Sequence, residues 1–376
     1  MTKKVRLIIL LSCAIFFFIA APAVVVYSLG YRIDFEQKKI SATGGVFIKA
    51  WPESAEVFVD SEFVGRTKMF AGSIFAQNLL PKQHNVLVKK EGYFPYQKTL
   101  DIKEKEVVKL EHILLFKENI LFDELESGKP WPGKKQEPNE LFFIKNGALY
   151  QNNPDSGPLL ILKNSAAFEL AGNNKITWLG LDGFLYDFDI SSGDNQKLSS
   201  IPLKINKKNN YKLNSVFQNI FLFENDNLLL FDQKIKEFLN FYGPVKEIEL
   251  SPDQKKLLFY NDYEILFSYV WQLSDQSDYE KIFLNRFSEK ISQCQWLNND
   301  YIVFTVEGRI KISETDNKNN INIVTLPENL ALLNGTSARL FNPGNGKEAE
   351  IYFSQQDKKL YILDGDKTFL SEKILP

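Results

Sequence analysis

The sequence predicts an all-β protein behind one N-terminal transmembrane helix, with a small β-sandwich followed by a β-propeller of about six blades. Three observations predict this class. The first 29 residues contain a long apolar run without charges. Apolar and polar residues alternate through much of the remaining chain, which is the period of strands and not of helices. From residue 140 onwards, a pair of apolar stretches around a polar turn recurs six times.

The N-terminal segment predicts a membrane anchor. Leu7–Leu29 has 23 residues without a charge, and a helix of that length covers about 34 Å, enough for a hydrocarbon core of roughly 30 Å. Lys3, Lys4 and Arg6 precede it, and positive charge stays on the cytoplasmic side. We therefore expect a single-pass protein of the cell membrane with a cytoplasmic N-terminus and an extracytoplasmic bulk. The lipid bilayer is then a partner, through Leu7 to Leu29.

Two rival interpretations concern processing of this segment. Ala21-Pro22-Ala23 resembles a signal-peptidase site, which would make the segment cleavable. The apolar run continues through Val24, Val25 and Val26, which favours an uncleaved anchor. Leu11-Ser12-Cys13 suggests a lipoprotein site, but it lies too close to Arg6 for the usual apolar region of a signal peptide. Cys13 is then a small apolar residue in lipid, and Cys294 is expected to be a buried thiol.

Composition excludes several classes of function. The chain has 376 residues, two cysteines, two histidines and a net charge of -2 from 45 basic and 47 acidic residues. This balance argues against a nucleic-acid partner, which usually requires a clustered basic excess. Two cysteines exclude a disulfide-stapled scaffold. The order of patterns predicts five regions: 1–29 for the cytoplasmic tip and anchor, 30–44 for a juxtamembrane segment, 45–116 for the sandwich, 117–139 for a linker and 140–376 for the propeller.

The predicted sandwich has short alternating strands separated by turns. Its characteristic stretches are Gly45-Val46-Phe47-Ile48, Pro52-Glu53-Ser54-Ala55, Val57-Phe58-Val59-Asp60, Gly65, Thr67, Asn78-Leu79-Leu80-Pro81, Val86-Leu87-Val88-Lys89-Lys90 and Gly92-Tyr93. In this order they resemble the PEGA domain, a small β-sandwich module found mainly in bacterial surface proteins. The family has glycine at the positions of Ser54 and Ser61 and proline at that of Lys68. The resemblance implies attachment or a spacer role and no catalytic residues.

The predicted propeller rests on a repeated hairpin. Hairpins begin at residues 141, 176, 220, 257, 301 and 351, with turns such as Asn146-Gly147 and Glu307-Gly308. Four strands at a period of about 40–45 residues are typical of a propeller blade. The first copy lacks a clear preceding strand. Either Ile120-Leu121-Phe122 or Thr368-Phe369-Leu370 is expected to supply it.

One turn connects the repeat with known propellers. Leu250-Ser251-Pro252-Asp253-Gln254-Lys255-Lys256 is similar to the Ser-Pro-Asp-Gly-Lys turn of TolB-like and WD-repeat-like propellers, with Gln254 in place of glycine. Gln295–Phe304 is a weaker copy. The whole arrangement resembles anchored envelope proteins of small-genome bacteria that combine a PEGA domain with a propeller.

The sequence predicts no catalytic residue, no cofactor and no metal ligand. Residues 140–376 lack histidine, which excludes a Ser-His-Asp triad or a histidine zinc site there. The candidates that we considered have simpler interpretations as strand, turn or salt-bridging residues: His84, His112, the sequence Asp187-x-Asp189-x-Ser191-x-Gly193, and the arginines Arg286, Arg309 and Arg339.

We therefore expect a non-enzymatic, extracytoplasmic envelope protein. Its propeller would be a binding or scaffolding module for a protein, glycan or cell-wall component, and the partner is not named by the sequence. The alternative is a propeller-type carbohydrate hydrolase or lyase at the cell surface, acting through Asp, Glu, Tyr and Arg.

Overall fold

The computed structural model describes residues 3–68, 71–126, 131–133, 141–153, 157–172, 174–273, 279–339 and 348–376. The chain divides into two compact units. Unit 1 contains Met1–Leu121, Asp316–Ser337 and Lys373–Pro376, and unit 2 contains Phe122–Thr315 and Ala338–Glu372. The predicted region boundaries stay predictions.

Unit 1 begins with an apolar helix, α1 (Lys3–Ser28). An 18-residue window within its span Lys4–Ser28 has a mean hydropathy of 2.8, and none of that window is buried against the rest of the structure. Among the described residues, α1 is the helix that is long and apolar enough to cross a membrane. A short antiparallel hairpin follows directly, with strands Tyr31–Asp34 and Lys39–Ala42.

Two sheets form the sandwich of unit 1. One has the strand order Ser73–Leu79, Gly44–Trp51 and Val107–Leu114, and the other Glu62–Arg66, Glu56–Val59, Gln83–Lys89 and Tyr96–Asp101. Alternation directs every second side chain inward. Val46, Ile48, Val86 and Val88 are fully buried in one core cluster. This confirms the predicted small β-sandwich.

Asparagine side chains cover the edge strand Tyr96–Asp101 of the second sheet. Asn322 Oδ1 and Asn320 Oδ1 accept the backbone N–H groups of Gln97 and Thr99 at 2.9 and 2.8 Å. Asn320 Nδ2 and Asn319 Nδ2 donate to the carbonyl groups of Gln97 and Thr99 at 2.6 and 2.7 Å. The amides thus take the place of a neighbouring strand, so this edge is not free for pairing with another chain.

Between these asparagine contacts, Lys98 is fully buried. Its Nζ donates to the carbonyl oxygen of Asp316 at 2.9 Å and lies 3.1 Å from the Asp316 carboxylate. A buried ammonium without such partners would be costly. The segment 316–322 therefore also supplies the partner of a buried charge. Unit 1 further includes the short strands Ile323–Thr325 and Asn329–Leu332.

Unit 2 consists of successive antiparallel sheets, which we name A to F. Sheet A has strands Phe142–Lys145, Ala148–Gln151 and Leu159–Lys163. Sheet B has Ser165–Leu170, Lys175–Gly180, Leu185–Asp189 and Asn195–Lys197. Sheet C has Tyr211–Val216, Asn219–Glu224, Asn227–Asp232 and Glu237–Tyr242. Sheet D has Glu247–Leu250, Lys256–Tyr260, Glu264–Tyr269 and Ile282–Arg286, with the one-turn helix Val270–Leu273 before its last strand.

Sheets E and F complete unit 2. The unit 2 strands of sheet E are Ile291–Trp296, Tyr301–Val306 and Arg309–Glu314. Sheet F has Glu350–Ser354, Lys359–Asp364 and Lys367–Lys373, and then Leu121–Glu124, which comes from before sheet A. A short strand, Ser337–Arg339, precedes sheet F in the chain.

The first strands of several successive sheets adjoin. Phe142–Lys145 contacts Ser165–Leu170, which contacts Tyr211–Val216. Ile291–Trp296 contacts both Glu247–Leu250 and Glu350–Ser354. Sheets arranged side by side through their first strands have the arrangement of a β-propeller. Six blades remain a prediction.

The two segments that were predicted to complete the first sheet pair with each other in sheet F and not with sheet A. Phe122 pairs with Ser371 and Glu124 with Phe369, and Leu125 N donates to the carbonyl oxygen of Thr368 at 2.8 Å. The expectation that one of them completes the first sheet is therefore wrong. Lys367–Lys373 follows Lys359–Asp364 after a tight turn and pairs with it on one side. Leu121–Glu124 pairs with its other side. Strands from the two ends of unit 2 thereby join in one sheet.

Candidate functional site

A groove of about 690 Å³, lined by both polar and apolar residues, lies between sheets B and C. Its volume is within the range of small-molecule sites in proteins. Elsewhere in unit 2, side-chain hydrogen bonds connect two adjoining sheets. Between sheets E and F, Gln293 Oε1 and Gln295 Oε1 accept the backbone N–H groups of Ile351 and Phe353 at 2.7 and 3.1 Å. The groove is thus a candidate binding site within unit 2.

A row of polar residues crosses sheet B on the side of the groove. Glu169 lies opposite Thr177, Thr177 opposite Asp187, and Asp187 opposite Gln196. Residues directly opposite each other on paired strands share one face of the sheet. Thr177, Asp187 and Gln196 line the groove, and Thr177 Oγ1 donates to Asp187 Oδ1 at 2.6 Å. We call these four residues the polar row.

An apolar row lies beneath the polar row. Ala167, Leu179 and Leu185 are opposite one another on the same three strands, two positions along from the polar row. They are buried in one cluster with Leu213 and Leu222 of sheet C. Sheets B and C are therefore packed against each other at the apolar row. At the polar row, two residues further along each strand, the sheets separate to form the groove.

Sheet C supplies the other wall. Ser215 pairs with Ile220, and both line the groove together with Phe231. Gln218 and Gln233 also line it, and Gln233 Nε2 donates to the carbonyl oxygen of Gln218. This wall offers apolar surface beside amide and hydroxyl groups, which suits a ligand with both kinds of surface.

The charges around the groove are mixed. Burial raises the pKa of the Glu169 carboxyl, and the Lys212 charge and the Ser215 backbone N–H oppose that rise. Asp187 contributes a second carboxyl, and Lys197 and Lys236 contribute ammonium groups to the lining. Lys197 Nζ lies over the Phe184 ring, 2.9 Å from its centroid. The mixture favours neither a strongly anionic nor a strongly cationic ligand.

Phe217 is the most unusual residue of the groove. It is the first residue of the two-residue turn Phe217-Gln218, between Val216 and Asn219, and 59% of it is exposed. Its φ of 56° is in the left-handed region, which costs a bulky side chain about 1–2 kcal/mol relative to ordinary backbone. Strain of this kind is concentrated at functional sites. Lys236, which also lines the groove, has a similar φ of 57°, so the exposed aromatic ring is what makes Phe217 a candidate contact for a ligand.

The structure separates the two aspartates that we considered as a calcium loop. Asp187 belongs to the polar row, whereas Asp189 Oδ1 accepts the backbone N–H groups of Ser191 and Ser192 at 2.9 and 3.0 Å. Asp189 thus stabilises a turn, and these bonds lower its pKa. Within the described residues, no three His, Cys, Asp or Glu side chains are grouped so that they could hold a metal ion.

The two histidines and Cys294 lie outside the groove. His84 is buried, with Nδ1 2.7 Å from Asp60 Oδ2 and Nε2 2.8 Å from the carbonyl oxygen of Leu80, while His112 is exposed on a strand of the sandwich. Cys294 is buried, and burial raises its pKa.

The three arginines lie at separate places in the chain. Arg286 ends sheet D and lies 3.6 Å from the Glu264 carboxylate. Arg309 is exposed at the start of a strand of sheet E. The side chain of Arg339 lies outside the described part of the chain. The described arginines thus belong to different sheets, and Arg286 has a carboxylate partner of its own.

The sequence prediction missed the polar row and Phe217. The row exists only after four strands are set in register, so no short motif contains it. A weak signal was present: Glu169, Thr177 and Asp187 each lie two positions from an inward-facing apolar residue, where alternation predicts another apolar one.

Comparison with protein families agrees with the sandwich. Residues 43–115 match the PEGA domain model. This is the segment that we compared with the family on its sequence, with bounds that differ by two residues at the start and one at the end. The matched segment is confined to unit 1, and no curated protein matches the chain significantly.

Solved structures with a similar arrangement include three that differ widely in origin. YCF48 from Cyanidioschyzon merolae is 11% identical, with 85% of this chain and 96% of that chain covered and a TM-score of 0.40. Kluyveromyces lactis Hsv2p is 13% identical, covering 62% and 71%, with a TM-score of 0.40. A streptogramin B lyase is 13% identical, covering 77% and 89%, with a TM-score of 0.37.

Proposed function

We propose that this protein is a membrane-anchored, extracytoplasmic envelope protein whose groove between sheets B and C binds a glycan. The observation that carries the proposal is the groove itself, where a row of hydrogen-bonding side chains lies beside the exposed ring of Phe217. Helix α1 would hold the chain in the membrane, and the PEGA-like sandwich would follow it as a spacer.

The chemistry of the groove supports a glycan over a charged ligand. A sugar presents hydroxyl groups along its edges and C–H groups on its faces. The amides of Gln196, Gln218 and Gln233 and the carboxyl of Asp187 can bond to hydroxyl groups. Phe217 offers a ring face for C–H groups. A strongly charged ligand would need a lining of one sign, and this lining has both.

The proposed orientation rests on the basic residues in the first turns of α1. Lys4 and Arg6 lie at its start, and residues of this kind remain on the cytoplasmic side. The sandwich and unit 2 would then lie outside, where envelope glycans are found. The PEGA match supports this placement, since that module occurs mainly in surface proteins.

The substitution Phe217→Gly tests the groove, because it should lower the affinity for the ligand without lowering the stability of the protein. Glycine removes the ring and also the left-handed strain, so the variant should be at least as stable as the parent. Its affinity for the bound oligosaccharide should fall about tenfold, which corresponds to the loss of one aromatic contact. Full-length protein in nanodiscs is first screened against neutral glucans and N-acetylglucosamine oligomers. The affinity of each oligosaccharide that binds is then measured by titration calorimetry.

Phe283→Ala is the matched control, since Phe283 is an exposed aromatic residue of sheet D. It should bind like the parent. Equal affinity in Phe217→Gly, or no oligosaccharide bound by the parent, would contradict the proposal. The same mixtures are assayed for new reducing ends, because their release would favour the alternative of a glycan-cleaving enzyme.

A further inference from the structure

The hairpin after α1 has a polarity opposite to that of ordinary surface strands. Ile33 and Ile40 are cross-strand partners and are 57% and 62% exposed. Their neighbours Asp34 and Ser41 are buried, with 2% and 1% exposure. A half-buried antiparallel pair in water normally directs its apolar residues inward. This inversion indicates that the outer side of the hairpin does not face water.

The turn of the hairpin continues its apolar outer side. Phe35 is 83% exposed. The carboxylate of Asp34 accepts the backbone N–H groups of Glu36 and Gln37, both at 2.9 Å. These two bonds fix the turn that presents Phe35. We call Ile33, Phe35 and Ile40 the apolar tip.

Hydrogen bonds connect this hairpin closely to the end of α1. Arg32 Nη1 donates to the carbonyl oxygen of Tyr27 at 2.8 Å, and its guanidinium lies 3.5 Å from the centre of the Tyr27 ring. Thr43 bonds to the carbonyl oxygen of Gly30 through both its backbone N–H, at 2.9 Å, and its Oγ1, at 2.6 Å. The hairpin therefore begins where the apolar helix ends and is held there at both of its ends.

The charges of the hairpin suit a headgroup layer. Arg32, Lys38 and Lys39 are basic, and Asp34 and Glu36 are acidic. The Asp34 carboxylate accepts the hydrogen bonds of the turn. Glu36 lies 3.2 Å from the ammonium of Lys82, in the bend before the sandwich strand Gln83–Lys89. The remaining basic groups can approach lipid phosphates, while an aromatic residue beside arginine is typical of the membrane interface.

We propose that the hairpin Tyr31–Ala42 lies in the interface of the bilayer, with the apolar tip inserted between the lipid headgroups. The proposal rests on α1 spanning the membrane, because the hairpin is tied to its end. It adds a second contact to the anchor. The first extracytoplasmic element would then be held on the membrane surface and would not extend freely from it.

The test places an environment-sensitive NBD label on the apolar tip of the full chain. Phe35→Cys is made in a Cys13→Ser background and labelled under native conditions. Cys294 stays unlabelled, since it is 2% exposed and burial raises its pKa. The protein is reconstituted in vesicles of phosphatidylcholine and phosphatidylglycerol, with or without bromine on the acyl chains. The Phe35 position is exposed, so the label should leave the fold intact.

Two further labels make the result unambiguous. Phe17→Cys lies within α1 and reports insertion of the helix, and Phe63→Cys is an exposed aromatic position of the sandwich, 58% exposed. We expect brominated lipid to quench the labels at 17 and 35 at least twofold more than the label at 63. Quenching at 17 with none beyond the 63 level at 35 would overturn the interfacial hairpin and leave the anchor standing. No quenching at 17 would overturn both.

Discussion

Three residues at positions of special interest have backbone conformations that glycine adopts at lower cost. Ser54, Ser61 and Gln254 have φ of 62, 70 and 62°. These are the three positions where the resembled families have glycine. The left-handed φ at these positions is one that glycine adopts without a steric cost, which agrees with the glycine of the resembled families.

We predict that Ser54→Gly, Ser61→Gly and Gln254→Gly each stabilise their unit by about 0.5–1 kcal/mol. Relief of left-handed strain exceeds the extra entropy of glycine in the unfolded chain. Lys255→Gly, next to Gln254 but without a positive φ, should destabilise by a similar amount. Local opening free energies from hydrogen exchange report each unit separately. A loss of protection in the three glycine variants would contradict the strain.

At the scale of elements, the closing strand of sheet F is the most informative. Phe122 is 1% exposed and its neighbour Leu121 is 38% exposed, so one strand offers a buried residue and a control. Phe122→Ala should cost about 3–5 kcal/mol and lower the melting temperature of unit 2 in the full chain. Leu121→Ala should cost less than about 1 kcal/mol. Similar melting temperatures for both variants would mean that the strand does not close the propeller.

Strands and turns could be predicted well because their signals are local. Asn146-Gly147 and Glu307-Gly308 were predicted as hairpin turns, and both residues of each have positive φ. The asparagine cover of the sandwich could not be predicted. Asn320 and Gln97 are 223 residues apart, and bonds from side chain to backbone leave no periodic pattern. The polar row could not be predicted for the same reason. Glu169 and Gln196 come into one row only through the pairing of four strands.

The whole molecule combines an apolar helix, a PEGA-like sandwich and a propeller in one chain. Composition and periodicity were sufficient to predict these parts, because each has its own repeat length: an uncharged run, a period of two, and a hairpin period near forty residues. The proposed function depends on the side of the membrane on which the sandwich and the propeller lie. A glycan can reach the groove only if unit 2 lies outside the cytoplasm.

Protease protection of cells that carry an N-terminal tag measures this placement directly. We predict that protease added to intact spheroplasts digests residues 30–376 and leaves a tagged fragment of about the size of α1, because the helix and the cytoplasmic tip are shielded. Detergent lysis, the control, should remove the tagged fragment as well. Full protection of residues 30–376 in intact spheroplasts, with digestion only after lysis, would contradict an extracytoplasmic binding protein.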